Sequence, residues 1–176
     1  FTGADGSPQT LMITSPVSKN GLSAAGLLLN GGIVDVPAGV DDGGLVKAGN
    51  GLLVIGGHVA STFGNPATPT EVFNIQSGYV RVDGGDALGP NNAITTVQDG
   101  AVLLFNGQTV NGSLQLKDGA TISVTMNSTT LGAVGSGGTV TVPTGATIEA
   151  QVRDYFIPAT NTGNIVINHK LTGAGT

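Results

Sequence analysis

The chain has 176 residues and a formal net charge of −5; 30 residues are glycine, 10% are charged and 4% aromatic. Only six are Lys or Arg, scattered at 19, 47, 81, 117, 153 and 170; nucleic-acid affinity needs a basic stripe that neutralises phosphates, and an anionic membrane surface needs a basic amphipathic helix, so both partners are excluded. Absence of cysteine rules out disulfides and thiolate metal sites, while 39% apolar residues and a mean hydropathy of +0.24 rule out disorder and require a core of small and β-branched side chains.

The expected elements are strands separated by turns. Glycine interrupts almost every window in which apolar residues recur at helical spacing, so no helix is expected. No apolar run approaches the roughly 18 residues of a membrane helix. In chain order the strand-like runs are Leu11–Ile13, Leu27–Leu29, Ile33–Val36, Leu52–Ile55, Val72–Ile75, Tyr79–Val82, Val102–Phe105, Ser113–Leu116, Thr121–Val124, Thr139–Val142, Thr147–Val152 and Ile165–Ile167. Many alternate apolar with polar residues, which sends one face inward and one outward. Asn-Gly pairs at 20, 30, 50, 106 and 111 and Asp-Gly pairs at 5, 42, 83, 99 and 118 mark sharp corners, because these residues tolerate positive φ. Gly64–Thr70 carries Pro66 and Pro69 and reads as a loop. Leu131–Gly138 reads as a second loop, and Tyr155–Pro158 opens a third. The sequence begins at Phe1 and stops inside the glycine-rich 172–176, so both ends read as cut or processed, and residues 1–176 as one segment of a longer protein or fibre.

A repeat distinguishes a solenoid from a sandwich. Gly78, Gly100, Gly119 and Gly145 each precede an alternating strand by one residue. They recur about every 22 residues, with some irregularity, which is the length of one solenoid coil. Stacked coils bury a continuous apolar column. On this alignment the inward positions are Val80, Val82, Val102, Leu104, Leu114, Leu116, Ile122, Val124, Val140, Val142 and Ile148.

The stretch Gly44-Leu45-Val46-Lys47-Ala48-Gly49-Asn50-Gly51-Leu52 resembles the opening phrase of the autotransporter-associated β-strand repeat. Phe73–Val82, Gly84–Gly89 and Val97–Leu103 resemble its continuations, in that order, so the match covers roughly residues 44–125. Asn164–Thr176 resembles a second opening phrase. The resemblance implies an all-β fold, a right-handed parallel β-helix, exported and displayed at a bacterial cell surface or released outside the cell. It implies little about activity. The Gly64–Thr70 stretch departs from the family's usual Thr/Gly-rich connection.

No constellation carries chemistry. Arg81, Asp83 and Asp86 come nearest to the grouped acids and base of polysaccharide lyases on this scaffold, but Arg81 and Asp83 share a face by period two and read as a surface pair. The glutamates Glu71 and Glu149 are far apart in sequence, whereas a glycosidase needs two carboxylates about 5–9 Å apart. Asp41-Asp42-Gly43-Gly44 and Gly84-Gly85-Asp86 lack the tandem nonapeptide of calcium-binding repeats. His58 and His169 have no partner at metal-ligand spacing, and no Gly-x-Ser-x-Gly elbow or phosphate loop is present. Asn111-Gly112-Ser113 and Asn127-Ser128-Thr129 match the glycosylation sequon.

No catalytic, cofactor-binding or metal residue is therefore assigned, and no cofactor is expected. The expected function is a non-catalytic extracellular structural module, a fibre, stalk or spacer. Its partners are neighbouring coils or further copies stacked end to end, with no nucleic acid and no membrane insertion. Two alternatives stand beside it. One is an adhesin binding surface glycan, against which the scarcity of aromatic rings counts. The other is a polysaccharide lyase or hydrolase, which requires acidic or basic residues converging on one sheet.

Overall fold

The computed structural model describes residues 9–14, 26–31, 44–56, 70–85, 87–90, 92–124, 128–132, 137–152 and 164–174. Among them are sixteen strands and no helix. In chain order these are β1 (Gln9–Met12), β2 (Gly26–Leu29), β3 (Leu45–Ala48), β4 (Leu52–Ile55), β5 (Thr70–Ile75), β6 (Tyr79–Val82), β7 (Ala93–Val97) and β8 (Val102–Phe105). There follow β9 (Thr109–Val110), β10 (Ser113–Leu116), β11 (Thr121–Val124), β12 (Thr129–Leu131), β13 (Thr139–Thr141), β14 (Thr147–Val152), β15 (Ile165–Ile167) and β16 (Lys170–Thr172).

Every pairing among these strands is parallel. The first sheet runs β1-β3-β5-β7-β10-β13-β16, the second β2-β4-β6-β8-β11-β14, and the third β9-β12-β15. The chain visits the first two sheets alternately, and from β9 onward it visits all three in rotation. The result is an all-β fold of parallel strands in stacked sheets, consistent with a β-solenoid. In the first sheet the successive partners are Leu45, Phe73, Thr95, Leu114, Val140 and Leu171. The lengths between them are unequal: the step from Thr95 to Leu114 is the shortest and that from Val140 to Leu171 the longest. The extra length of the longer turns falls between the described strands.

Alternation along each strand builds the interior. The second sheet contributes Leu53, Val80, Leu103 and Ile122 in one row and Ile55, Val82, Phe105 and Val124 in the next. All eight are buried in the main core. The first sheet adds Phe73, Ile75, Val97, Leu114, Leu116 and Val140, and the third Val110 and Leu131. Val142 and Ile148 pack against this core while partly exposed.

Val102 and Leu104 do not belong to it, against the inward positions expected for them. Tyr79 pairs with Val102 and Val80 with Leu103, so the step from β6 to β8 is one residue longer than the step from Gly78 to Gly100. The corner Gln76-Ser77-Gly78 has three residues, whereas Gln98-Asp99-Gly100-Ala101 has four. A shift of one residue moves each side chain to the opposite face. Leu103 and Phe105 therefore point inward, and Val102 and Leu104 join Leu52, Val54 and Tyr79 in a second, separate apolar cluster.

The expected strands at 52–55, 79–82, 102–105, 113–116, 121–124, 147–152 and 165–167 have those bounds, and three others differ by one or two residues at an end. The first expected run starts two residues earlier, at Gln9, and ends at Met12. Ile33–Val36 and Tyr155–Pro158 lie outside the described residues, as do residues 64–69 and 133–136 of the two other expected loops. Thr70 already belongs to β5. The strands β3, β7, β9, β12 and β16 fall outside the expected runs; all except β7 have four residues or fewer, too few for a periodicity signal.

Not every inward position is apolar. Thr95 lies between Phe73 and Leu114 in the inward row. Its Oγ1 is buried with no hydrogen-bond partner, which costs about 1–3 kcal/mol. Replacement by the nearly isosteric valine removes that cost. Thr95→Val is expected to stabilise the protein by about 1 kcal/mol in urea unfolding; a loss of stability would show that the hydroxyl is satisfied in solution.

Candidate functional site

The residues that carry chemistry are spread over separate faces. On the outer face of the second sheet, Arg81 makes a bidentate pair with Asp83: Nε donates to Oδ1 at 2.9 Å and Nη2 to Oδ2 at 2.7 Å. Their register positions two apart set this geometry, as alternation requires. Arg81 lies in the row between Val54 and Leu104, so the pair is part-buried beside the outer apolar cluster. Asp86 and the Asp41-Asp42-Gly43 turn lie outside the described residues.

Glu71 and Glu149 are on different sheets. Glu71 anchors a polar ladder on the outer face of the first sheet. Its Oε1 accepts from Asn74 Nδ2 at 3.0 Å and its Oε2 from Thr96 Oγ1 at 2.6 Å. Asn74 Oδ1 in turn accepts from Gln98 Nε2 at 3.2 Å. The row continues through Gln115, Thr141 and Thr172, and the last two hydroxyls lie 3.0 Å apart. These groups satisfy one another across successive coils, as polar side chains on neighbouring strands do.

His58 lies outside the described residues. His169 is buried at the corner between β15 and β16. Its ring packs over Gly138, where a Cβ would collide with it. Burial lowers the imidazole pKa, against hydrogen bonds with the backbone of Gly112, Asn111 and Val110 that favour the charged form. The ring thus bridges corners of successive coils. Asn111 of the first sequon sits half-buried at the corner between β9 and β10, and Asn127 of the second lies outside the described residues. Among the described residues no group of three or more His, Cys, Asp or Glu side chains converges as a metal site.

The residue that sequence reasoning missed is Lys47. Its row runs Leu11, Lys47, Ile75, Val97, Leu116, so the lysine points into the core and is fully buried. The signal was present: Lys47 stands two residues after Leu45, and alternation puts both on one face. The reason for a cation there is the corner. Later corners close themselves, with Ala101 N–H donating to Gln98 O and Ala120 N–H to Lys117 O around the positive-φ residues Gly100 and Gly119. The shorter corners after β3 and β5 leave carbonyls without such a bond, and Lys47 Nζ donates to Gly49 O at 2.5 Å and to Ser77 O at 2.6 Å. One ammonium thereby ties two successive corners together. A Cβ on Gly78, which has φ +72°, would lie 2.5 Å from both Gly49 O and Lys47 Nζ.

Desolvation lowers the Lys47 pKa from 10.5 to about 8. The unfolded chain then holds more protons than the folded one between about pH 8 and 10.5, so this residue makes stability rise with pH across that window and adds no slope below it. Urea unfolding from pH 7 to 10 is expected to show that rise, about 1 kcal/mol per pH unit at most, in the parent relative to Lys47→Met. Parallel slopes in the two proteins would refute the buried ammonium. Gly78→Ala is expected to cost about 2–4 kcal/mol, against about 1 kcal/mol for Gly100→Ala, which meets nothing within 4 Å; equal losses would mean that Gly78 matters only through its φ.

Comparison of the sequence and fold with protein-family models, with curated proteins and with solved structures finds no match.

Proposed function

We propose that this protein is a non-catalytic structural module, a segment of right-handed parallel β-helix that serves as a fibre or spacer outside a bacterial cell and stacks end to end. The handedness follows from the strong preference of parallel crossovers for the right-handed form. The autotransporter-like phrases support the location and the family. The single observation that carries the structural role is where apolar surface is exposed. Among the described residues the exposed large apolar side chains are Met12, Leu28, Val166 and Leu171, at 63%, 55%, 48% and 57%. All four lie on strands at the edges of the sheets: β1, β2, β15 and β16. Leu171 occupies the row of Leu45, Phe73, Leu114 and Val140, so it is the last described member of that core row.

Exposed edges with unpaired backbone groups are templates for further pairing. The first sheet ends in β16 on one side and β1 on the other, and the second in β14 and β2. Because all these strands are parallel, one copy's last edge meets the next copy's first edge without reversal. Such a head-to-tail contact does not close and grows a filament.

A second reading, adhesion to a glycan, is favoured by the amide and hydroxyl ladder of Asn74, Thr96, Gln98 and Gln115. A glycan array without binding would remove it.

Small-angle scattering over a concentration series, with negative-stain microscopy of the same samples, tests the stacking. Rods that lengthen with concentration are expected from the parent protein, and rods of one fixed length from Leu171→Asp, which places a charge at the end of the core row. A compact or concentration-independent particle from the parent would overturn the fibre reading.

A further inference from the structure

The described Asn-Gly pairs differ in one respect that matters for covalent chemistry. Cyclisation of an Asn-Gly pair needs the glycine nitrogen to reach the asparagine Cγ. In Asn50-Gly51 that nitrogen donates to Ile13 O at 2.7 Å, and Gly51 is buried. In Asn106-Gly107 it donates to Thr129 Oγ1 at 3.1 Å. In Asn111-Gly112 the glycine is buried, with its Cα packed so that a Cβ would lie 2.7 Å from Leu88 O. Among the described residues none of these restraints holds Asn30-Gly31: both residues are exposed, and nothing lies within 4 Å of a Cβ on Gly31.

We infer that, among the described Asn-Gly pairs, Asn30 is the site of spontaneous deamidation in the folded protein, through a succinimide with Gly31. The Gly31 backbone nitrogen loses its proton and bonds to Asn30 Cγ. The bond from Cγ to the amide Nδ2 breaks, and ammonia leaves with that proton. Water then opens the ring at either carbonyl, giving aspartate or isoaspartate; the net change is water taken up and ammonia released, with no redox step. The other described pairs must first open locally, and local opening carries a free-energy cost set by the contacts broken.

The position gives the reaction a consequence. Asn30 directly follows β2, the edge strand of the second sheet. The product adds a carboxylate, and in the isoaspartyl form an extra backbone carbon, at an edge that end-to-end stacking would use. Charge at an edge strand blocks further pairing. This consequence rests on the stacking reading; the chemistry does not.

Peptide mapping by mass spectrometry, with isoaspartate detection, follows the intact 176-residue chain incubated at mildly alkaline pH, folded and in denaturant. Conversion at Asn30 is expected to be at least about tenfold faster than at Asn50, Asn106 and Asn111 in the folded protein, with the rates converging in denaturant. Comparable folded-state rates, or a faster reaction at one of those three, would overturn the inference; so would an Asn30 preference that survives denaturant, since sequence and not structure would then set it. Incubated parent protein is also expected to lose rod growth while Asn30→Gln keeps it. Deamidation at Asn30 without any rod growth in fresh protein would sink the stacking reading and leave the modification standing.

Discussion

The structure depends on one constraint: each coil buries its apolar side chains only by stacking in register on the next. A strand of four residues offers two inward side chains, and a two-position contribution cannot offset the entropy of ordering the backbone around it. Rows such as Leu53, Val80, Leu103 and Ile122 convert many small contributions into one continuous core. The parallel ladder enforces the rows, because a shift of one residue would exchange the inward and outward sets. Turns can vary in length as long as each strand re-enters in phase, which is why the short step from Thr95 to Leu114 and the long one from Val140 to Leu171 coexist in one sheet.

The corners show the same constraint at closer range. Four-residue corners satisfy their own backbone and leave the adjoining inward position to Val97 or Leu116. Three-residue corners do not, and there a lysine occupies the inward row and binds the carbonyls of Gly49 and Ser77. An ammonium can reach two carbonyls at once because it has three donors and no required plane. The cost is a desolvated charge, visible in its depressed pKa. In the second opening phrase the row of Leu45 is occupied by Leu171, and Lys170 is exposed on the other face. The similar phrases are thus two residues out of step: counted from Gly49 and Gly173, Leu171 stands where Lys47 stands in the first.

Several of the described side chains that could carry chemistry are engaged in contacts within a coil or between coils. Glu71 joins two strands of its sheet, Arg81 closes on Asp83, and His169 bridges corners. Among the described residues the large apolar side chains left open lie on edge strands, where the last described member of a core row also meets solvent. That arrangement supports a role in mechanical continuity.

The sequence by itself determined the strand content, the absence of helices among the described residues and most strand positions, because period-two alternation and Asn-Gly or Asp-Gly turns are local signals within a few residues. It also determined the Arg81–Asp83 pair, whose members are two residues apart on one face. Only the tertiary structure decided the register between coils. The inward assignment of Leu103 and Phe105 over Val102 and Leu104 turns on one extra corner residue, and a corner's length has meaning only once its neighbour is stacked against it. Lys47 was decided in the same way: its parity was legible, but the carbonyl of Ser77 lies 30 residues away in sequence, and nothing local announces that an inward lysine will find it.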